Sequence, residues 1–334
     1  MKKNLILIDY HIDSNKDNGF VWTLSNVCLG EWIVKEKITN NLHGGIINQM
    51  VRFLWYFLFP LQIISNRYKY DKIIGWQQFY ALNFAFFCRL FHLNKVNDVT
   101  VMTFIYKEKS GLLGKIYQKY MSFIVTSKYI DRFICFAREE CDYYASIFNV
   151  DKSKFVFVPL GIKNNDVNIY DDGFVFSTGR SNRNYDFLVN IMKDTSYQTI
   201  IACDNYKNFD IHNNIKILND CHNQNMMNLM ARCHCVVVPL SDLNVSSGQL
   251  VVLQAMSLGK PVICTKSYGV KDYVTDGITG ILVNNSYEQW IDALNKLYSD
   301  NAFYNRMCAC AKDSFNTNFT EFVMFKRIAE IIKQ

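Results

Sequence analysis

The stretch 236–283 constrains the fold of this chain of 334 residues more than any other. An apolar run at 236–239 ends in a polar loop, and a Ser-Ser-Gly at 246–248 then precedes an apolar helical pattern. That pattern stops at Gly259, and a second apolar run follows at once at 261–264. Strand, loop, helix and strand in this order predict a βαβ unit with two parallel strands.

The start of this predicted helix suits a phosphate group. Ser246, Ser247, Gly248 and Gln249 leave backbone N–H groups and the positive end of the helix dipole facing whatever binds there. The segment 175–189 (VFSTGRSNRNYDFLV) builds a similar strand-to-helix turn, and that turn contains two arginines. Two turns of this kind predict a diphosphate site.

Apolar runs alternate with helical patterns along the whole chain, which is typical of parallel α/β sheets. Proline and glycine interrupt the alternation at 159–161. We therefore predict two doubly wound, Rossmann-like domains facing each other across a cleft, with a ligand at the carboxyl ends of the strands. The first domain would comprise residues 1–160 and the second 161–310, and the helical pattern of 311–334 would pack back on the first domain.

Charge is distributed unevenly between the two halves. Residues 1–160 contain 20 Lys and Arg against 13 Asp and Glu, a net +7, whereas residues 161–334 contain 16 against 17, a net −1. A basic first half is suited to anionic lipid, a lipid-linked phosphate or nucleic acid. The chain has no recognisable nucleic-acid motif, so nucleic acid is not an expected partner.

The cysteine pattern and the start of the chain both predict a cytoplasmic protein. The 11 cysteines form no CxxC pair and lie mostly in apolar runs, as buried thiols of a reducing compartment do. The Cys and His neighbours at 221–222 and 233–235 are interpreted as core thiols and not as zinc ligands. The second group immediately precedes an apolar strand, whose alternation would place neighbouring ligands on opposite faces. Residues 4–9 form a short strand pattern and not the apolar core of a signal peptide.

The segment 46–64 is strongly apolar over 19 residues and leaves three interpretations open. It would pack as a helix on a sheet, lie in one leaflet of a membrane interface, or span the bilayer. Arg52, Pro60 and three side-chain amides disfavour a span. The second interpretation would bring the protein to the cytoplasmic face of an anionic inner membrane as a peripheral protein.

Four motifs in the second half resemble those of the GT-B glycosyltransferases, in particular the large retaining family 4. They are FNVDKSKFVFVPLGI (148–162), STGRSNRNYDFL (177–188), SSGQLVVLQAMSLGKPVI (246–263) and YGVKDYVTDGITGILV (268–283). The resemblance covers residues 131–334, whereas the first 130 residues share with the family only the alternation of strand and helix patterns. It implies a GT-B fold, a nucleotide-diphosphate sugar as donor substrate and no bound cofactor.

The resemblance also implies roles for the first turn of the second half. In the family, an arginine and a lysine of this turn bind the donor diphosphate. Gly179 and Arg180 match the family's glycine and arginine, and the lysine position falls near Tyr185. Arg183 is the predicted substitute for the lysine.

The acidic pair of the family is absent from this chain. Two glutamates, eight positions apart, contact the donor sugar and the nucleotide ribose in family members, and Ser246 and Gln254 occupy these positions here. The Gln254 amide can still bond ribose hydroxyls. The Ser246 hydroxyl would bond a sugar hydroxyl or cap the helix.

The first half departs from the family as well, because the segment TFIYKEKSG (103–111) lacks the family's catalytic-site histidine. An inverting enzyme would need another base. His11, Asp13 and Asp17, in the loop after the first strand, are the candidates. Gly19 in the same loop would let backbone approach the donor phosphate.

These observations predict a metal-independent glycosyltransferase. The sequence shows no convincing Asp-x-Asp metal site, so cations and a helix N-terminus would stabilise the leaving diphosphate. The acceptor would be a glycan or a polyprenyl-linked glycan of bacterial surface polysaccharide, such as O-antigen, lipopolysaccharide or capsule. The alternatives are a sugar-nucleotide epimerase of the same fold and a catalytically idle binding subunit, the latter suggested by Ser246, Gln254 and the missing histidine.

Overall fold

A computed structural model of the chain describes residues 3–13, 16–28, 30–39, 42, 44–204, 206 and 212–333. These residues form two compact units. Unit 1 comprises Met1–Val158 and Phe325–Gln334, and unit 2 comprises Pro159–Met324. Each unit is built on its own parallel sheet of six strands.

Unit 1 alternates strands and helices. Its strands are β1 (Lys3–Ile8), β2 (Trp32–Glu36), β3 (Tyr70–Gly75), β4 (Asp98–Val101), β5 (Arg132–Cys135) and β6 (Phe155–Phe157). Its helices are α1 (Phe20–Val27), α2 (Ile46–Ile64), α3 (Gln78–Leu90), α4 (Gly111–Val125) and α5 (Arg138–Phe148), with short 3-10 turns at Arg67–Lys69 and Lys152–Lys154. The strand order is β2-β1-β3-β4-β5-β6, so the order reverses between β1 and β3.

Unit 2 repeats this plan. Its strands are β7 (Val175–Thr178), β8 (Thr199–Ala202), β9 (Ile215–Leu218), β10 (Cys235–Val238), β11 (Val262–Thr265) and β12 (Ile281–Val283). Its helices are α6 (Tyr185–Met192), α7 (Asn223–Arg232), α8 (Gln249–Ser257), α9 (Tyr287–Ser299) and α10 (Asn301–Asn318), and α11 (Glu321–Lys333) begins in unit 2 and continues into unit 1. The order β12-β11-β10-β7-β8-β9 reverses between β7 and β10.

Both sheets are buried on their two faces, which explains the continuous apolar runs of their strands. Residues 5–8 of β1 are fully buried, and so is every residue of β10. In unit 2, one apolar cluster contains Val236 and Val238, and another contains Cys235 and Val237 on the opposite side of the same strand. A doubly wound sheet with helices on both faces accounts for this pattern.

The sequence pattern missed two elements, α1 and β2. The strand β2 (WIVKE) is an edge strand that pairs with β1 alone, and only Trp32 in it is buried. An edge strand of this kind lacks the apolar run of a central strand, so its pattern is weak. The helix α1 has only eight residues, too few for a clear helical period.

The end of the chain forms two helices separated at Phe319 and Thr320. Thr320 pairs with Ile162 in a short β-bridge of unit 2. From Phe325 onward the chain belongs to unit 1, where the Phe325 ring lies 5.1 Å from that of Phe20. The Cys28 thiol donates to the Ala329 carbonyl at 2.9 Å, which holds this last helix against α1.

The segment 46–64 is the helix α2, and it packs through one face. Tyr56, Phe59, Pro60 and Ile63 are buried. The Phe59 and Tyr80 rings are 4.8 Å apart, which joins α2 to α3. Among the residues that the structure describes, no helix has the length and apolarity needed to cross a bilayer.

Candidate functional site

The two predicted turns of unit 2 lie side by side. They follow β7 and β10, the neighbouring strands between which the strand order of the sheet reverses. In open α/β sheets, ligands bind outside the carboxyl ends of the strands at such a switch point. The fold therefore brings the segments 179–184 and 239–248 to the place where a ligand is expected.

The first turn depends on Gly179 and Arg183. Gly179 has a φ of 116°, a backbone conformation that favours glycine. The Arg183 guanidinium folds back over it: Nε donates to the Thr178 carbonyl at 3.0 Å and Nη1 to the Ser181 carbonyl at 2.8 Å. A Cβ at position 179 would lie only 2.4 Å from Arg183 Nη2, so a side chain there would displace the arginine.

Burial lowers the pKa of Arg183, because removing a guanidinium from water disfavours its charged form. Two hydrogen bonds to backbone carbonyls compensate for this loss of hydration. Arg183 therefore stabilises the turn, in addition to any contact with a ligand.

Arg180 is placed differently. Its side chain is 63% exposed, and Nη2 donates to Asp204 Oδ2 at 3.0 Å. Asp204 follows β8, at the same edge of the sheet, and its Oδ2 also lies 3.3 Å from His222 Nε2. The Asp204 carboxylate thus holds Arg180 at the mouth of a cavity and leaves most of the guanidinium in solvent.

That cavity has a volume of about 660 Å³ and lies within unit 2. It is lined by Asn165, Arg180, His222, Asn223, Gln224, Met226, Met227 and Gln254. The structure therefore brings together two of the predicted donor-binding residues, Arg180 and Gln254, although 74 positions separate them in the sequence (254 − 180). The half-buried Gln254 is part of α8, while its neighbours Val252 and Leu253 are fully buried in the core.

The second turn contains Ser246, Ser247, Gly248 and Gln249. Gly248 has a φ of 93° and precedes α8, whose first backbone N–H groups have no partner within the helix. The Gln249 side-chain amide donates to the Ser246 hydroxyl, so these two polar side chains are paired with each other. Ser247 is buried.

Asn182 joins the two turns. Its Nδ2 donates to Ser247 Oγ at 2.8 Å and to the Asp242 carbonyl at 2.8 Å, and its Oδ1 accepts from the Asp242 N–H at 2.8 Å. Gly269 lies against the same loop, because a Cβ there would approach the Ser247 backbone within 2.5 Å. These contacts fix the start of α8 relative to the arginine turn.

Sequence reasoning missed Asn182, Asp204 and His222. A positive φ of 57° at Asn182 is a conformation that asparagine tolerates, so the repeated asparagines of the turn were a usable signal. Asp204 comes two residues after β8, and the rule that ligands bind at carboxyl strand ends would have identified it.

Asp204, Asp220 and His222 bring one ligand atom each to within 4.8 Å of one another, a spacing that a cation could use. The Arg180 guanidinium already pairs with the Asp204 oxygen that faces His222. The Asp220 N–H donates to the other Asp204 oxygen at 3.0 Å. The three residues thus belong to an ion-pair network in which the Arg180 guanidinium already provides the positive charge.

The candidate residues of unit 1 lie in the loop after β1, next to that sheet's own reversal point. His11 Nδ1 is 2.6 Å from Glu36 Oε2, and its side chain is 80% exposed. Asp17 is exposed, and the Asp13 carbonyl accepts from the Lys16 N–H at 3.3 Å. Glu36, the partner of His11, ends the strand β2 that the sequence pattern missed.

Gly19 precedes α1, and its carbonyl accepts from the Thr23 N–H at 2.9 Å. Its φ of −75° is open to any residue. A Cβ at this position would nevertheless lie 2.8 Å from the Lys16 carbonyl oxygen, so the loop itself requires a glycine here. Local geometry therefore explains Gly19 without a ligand.

Comparisons with known proteins agree with this architecture. Residues 202–313 match the model of the glycosyl transferases group 1. A stretch of 100 residues is 33% identical to D-inositol 3-phosphate glycosyltransferase of Paenarthrobacter aurescens (strain TC1), covering 29% of this chain and 24% of that protein. The chain thus aligns with about a quarter of the length of this curated relative.

Solved structures are similar over nearly the whole chain. Anabaena Alr3699/HepE, solved in complex with UDP and glucose, has a TM-score of 0.64 at 13% identity, covering 99% of this chain and 100% of that one. WaaG, a glycosyltransferase involved in lipopolysaccharide biosynthesis, has a TM-score of 0.61 at 13% identity, covering 98% and 99%. This chain is therefore a protein of the GT-B glycosyltransferase fold that resembles the group 1 glycosyl transferases.

Proposed function

We propose that this protein is a glycosyltransferase that takes a sugar from a nucleotide-diphosphate sugar. The observation that carries the proposal is the cavity of unit 2, which is lined by Arg180 and Gln254 and lies in the part of the chain that resembles group 1 glycosyl transferases. Similarity to a protein solved with UDP and glucose supports a donor of this class.

The diphosphate would bind between Arg180 and the start of α8. Departure of a nucleoside diphosphate places growing negative charge on its phosphate oxygens, and fixed donors aimed at those oxygens lower the barrier. Arg180 offers an exposed guanidinium, and the N-terminus of α8 offers backbone N–H groups and a positive dipole end. Arg183, Gly179, Ser247 and Gly248 would hold these donors in place.

The nucleoside would extend along the cavity toward Gln254. Its side-chain amide would bond the ribose hydroxyls, as a donor and an acceptor. Ser246 and Gln249, which bond each other, would adjust when the sugar binds. In this arrangement the donor needs no metal ion.

The catalytic base of an inverting reaction would come from His11, Asp13 or Asp17. His11 has the best local arrangement, because a carboxylate that accepts from one ring nitrogen fixes the tautomer and leaves the other nitrogen to take a proton. Glu36 is positioned to do this at 2.6 Å.

The acceptor would be a glycan, free or linked to a polyprenyl phosphate, in the synthesis of bacterial surface polysaccharide. Similarity to a glycosyltransferase of lipopolysaccharide biosynthesis and the net +7 charge of residues 1–160 support this class. The protein would then work as a peripheral protein at the cytoplasmic face of the inner membrane.

A catalytically idle subunit that only binds a nucleotide sugar is the second candidate. Ser246 and Gln254 favour it, because neither can supply the negative charge of a carboxylate near the sugar. Such a subunit would bind the donor without breaking the bond between sugar and phosphate.

Calorimetry with UDP, GDP and ADP, followed by incubation with the corresponding sugar nucleotides, tests the proposal. We expect one nucleotide to bind, and its sugar nucleotide to be consumed slowly by water without acceptor. Binding without turnover in the presence of membrane extracts would favour the idle subunit. Lack of binding by all three nucleotides would reject both functions.

A further inference from the structure

The outer face of α2 is an exposed apolar stripe. Ile46, Met50 and Leu54 are spaced four residues apart, which places them on one side of the helix. Their exposed fractions are 79%, 66% and 55%, and Ile47 beside them is 77% exposed. Isolated apolar residues on a surface are ordinary, but a continuous stripe marks an interaction site.

The first turn of α4 has the same character. Leu112, Leu113 and Ile116 are 76%, 79% and 56% exposed, and Ile105 in the preceding loop is 57% exposed. These side chains contribute little to the core of unit 1, so the stability of the fold does not explain them.

The two groups lie at one edge of one face of unit 1. The crossovers from β2 to β5 all run in the same direction along the sheet, so right-handed connections place α2, α3 and α4 on one face. Asn83 of α3 links the neighbouring helices α2 and α4. Its side chain donates to the Tyr56 carbonyl of α2 at 2.9 Å and accepts from the Tyr120 hydroxyl of α4 at 2.6 Å. The first turns of α2 and α4 both lie at the carboxyl edge of the sheet, because each helix runs antiparallel to the strands.

Positive charge is concentrated in the segments that contain and flank this apolar surface. Residues 37–70 contain Lys37, Arg52, Arg67 and Lys69 and no acidic residue. Residues 99–130 contain five lysines and one acidic residue, Glu108. Four of these lysines are exposed: 107 and 109 precede α4, and 115 and 119 lie in its first three turns.

Exposed apolar side chains together with lysines favour one kind of binding partner for this surface. A second copy of the chain would bring lysines against lysines, and protein interfaces are depleted in lysine at their centres. An anionic bilayer instead accepts apolar side chains below its head groups and binds lysines at its surface. The charge and the apolar stripe are thus both satisfied by the same partner.

We propose that the surface formed by α2 and the first turn of α4 inserts into the head-group region of an anionic membrane. This inference extends the proposed lipid-linked acceptor, because it would hold unit 1 at the bilayer where such an acceptor resides. It concerns a property of unit 1 that is measurable without donor or acceptor.

Co-sedimentation of the full chain with vesicles tests the proposal. We expect binding to vesicles of phosphatidylcholine mixed with phosphatidylglycerol and weak binding to phosphatidylcholine alone. The combined change Leu112→Gln, Leu113→Gln and Ile116→Gln should weaken binding more than about tenfold. Each of Lys115→Gln and Lys119→Gln should weaken binding by about fivefold at low salt, and added salt should reduce that effect.

The matched control is Ile169→Gln with Ile278→Gln, because these residues of unit 2 are also exposed, at 52% each. The control should bind vesicles as the unchanged chain does, and all variants should keep the circular dichroism and melting temperature of the parent. Nucleotide binding in solution should survive the α4 changes, so a failed donor assay and a failed membrane assay are separate results.

Three results would overturn the inference. They are equal binding to neutral and anionic vesicles, unchanged binding of the α4 variant, and concentration-dependent dimers that this variant abolishes. The last result would make the surface an interface between two copies of the chain.

Discussion

Arg180 and Arg183 are three residues apart in one turn and have different surroundings. The Arg183 guanidinium is committed to the Thr178 and Ser181 carbonyls, whereas Arg180 pairs with Asp204 and remains mostly exposed. A half-buried group with fixed partners contributes to stability, and an exposed charge beside a cavity is available to a ligand. The two substitutions should therefore affect different measurements.

Arg180→Ala should weaken nucleotide-diphosphate binding by about tenfold or more, since a charged hydrogen bond to phosphate contributes about 1.5–3 kcal/mol. The melting temperature should change little, because an exposed ion pair contributes at most about 1 kcal/mol. Calorimetry and thermal denaturation measure the two effects. Arg306→Ala, which removes an exposed arginine from α10, is the control. Wild-type affinity in the Arg180 variant would remove it from the diphosphate site.

Arg183→Ala should instead lower the free energy of unfolding by about 1–3 kcal/mol, because it leaves two backbone carbonyls without their donors. Chemical denaturation measures this change. Arg183→Lys should rescue it only in part, since one ammonium cannot reproduce the planar fork of a guanidinium. An unchanged unfolding midpoint combined with lost nucleotide binding would show that Arg183 acts only on the ligand.

Gln254→Leu should raise the KM for the donor and leave the fold intact, because the side chain lies at the cavity and not in the core. Gln254→Glu should retain or raise activity, since it provides the carboxylate that the family resemblance implies at this position. Steady-state kinetics with the cognate sugar nucleotide check both. If the leucine variant melts at a higher temperature and keeps the parent KM, Gln254 does not contact the donor.

At the scale of elements, the turn between β7 and α6 contains Gly179. Two properties could require glycine there: its positive φ, and the lack of room for a Cβ beside Arg183. Gly179→Ala would combine an unfavourable φ of 116° with a clash 2.4 Å from Arg183. Gly173 has a φ of 75° and open space around its Cβ position. Gly173→Ala therefore introduces an unfavourable backbone conformation without a steric clash. We expect the control to lose about 1 kcal/mol of stability and Gly179→Ala to lose clearly more. Equal losses in chemical denaturation would show that Arg183 adapts without cost.

At the scale of the whole molecule, transfer activity should survive EDTA. In the proposed site, Arg180 and the α8 N-terminus would provide the positive charge that a metal provides in other enzymes. The Asp204 carboxylate, a potential metal ligand, is already paired with the Arg180 guanidinium. The assay is donor consumption before and after chelation, with manganese or magnesium added back. Loss of activity that either ion restores would mean that Asp204, Asp220 and His222 bind a cation during turnover.

The alternation of apolar runs and helical patterns predicted the α/β class and every central strand of the two sheets, because strands buried on both faces are apolar throughout. The same reasoning failed at α1 and β2, which are short and lie at the edge of the sheet or beside it. The positions of the glycines and arginines predicted both strand-to-helix turns of unit 2. Such signals are local, because each depends only on residues that are close together in the chain.

Only the tertiary structure decided what each polar side chain in those turns faces. The Asp204 partner of Arg180 is 24 residues away, and the Ser247 partner of Asn182 is 65 residues away. The exposed stripe of α2 likewise depended on which face α3 covers, because apolar residues occur on every side of this helix and its pattern does not indicate which side is buried. Local sequence pattern determines the backbone conformation of a turn. The partners and the exposure of its side chains depend instead on the strand order of the sheet, which brings distant segments together only in the folded chain.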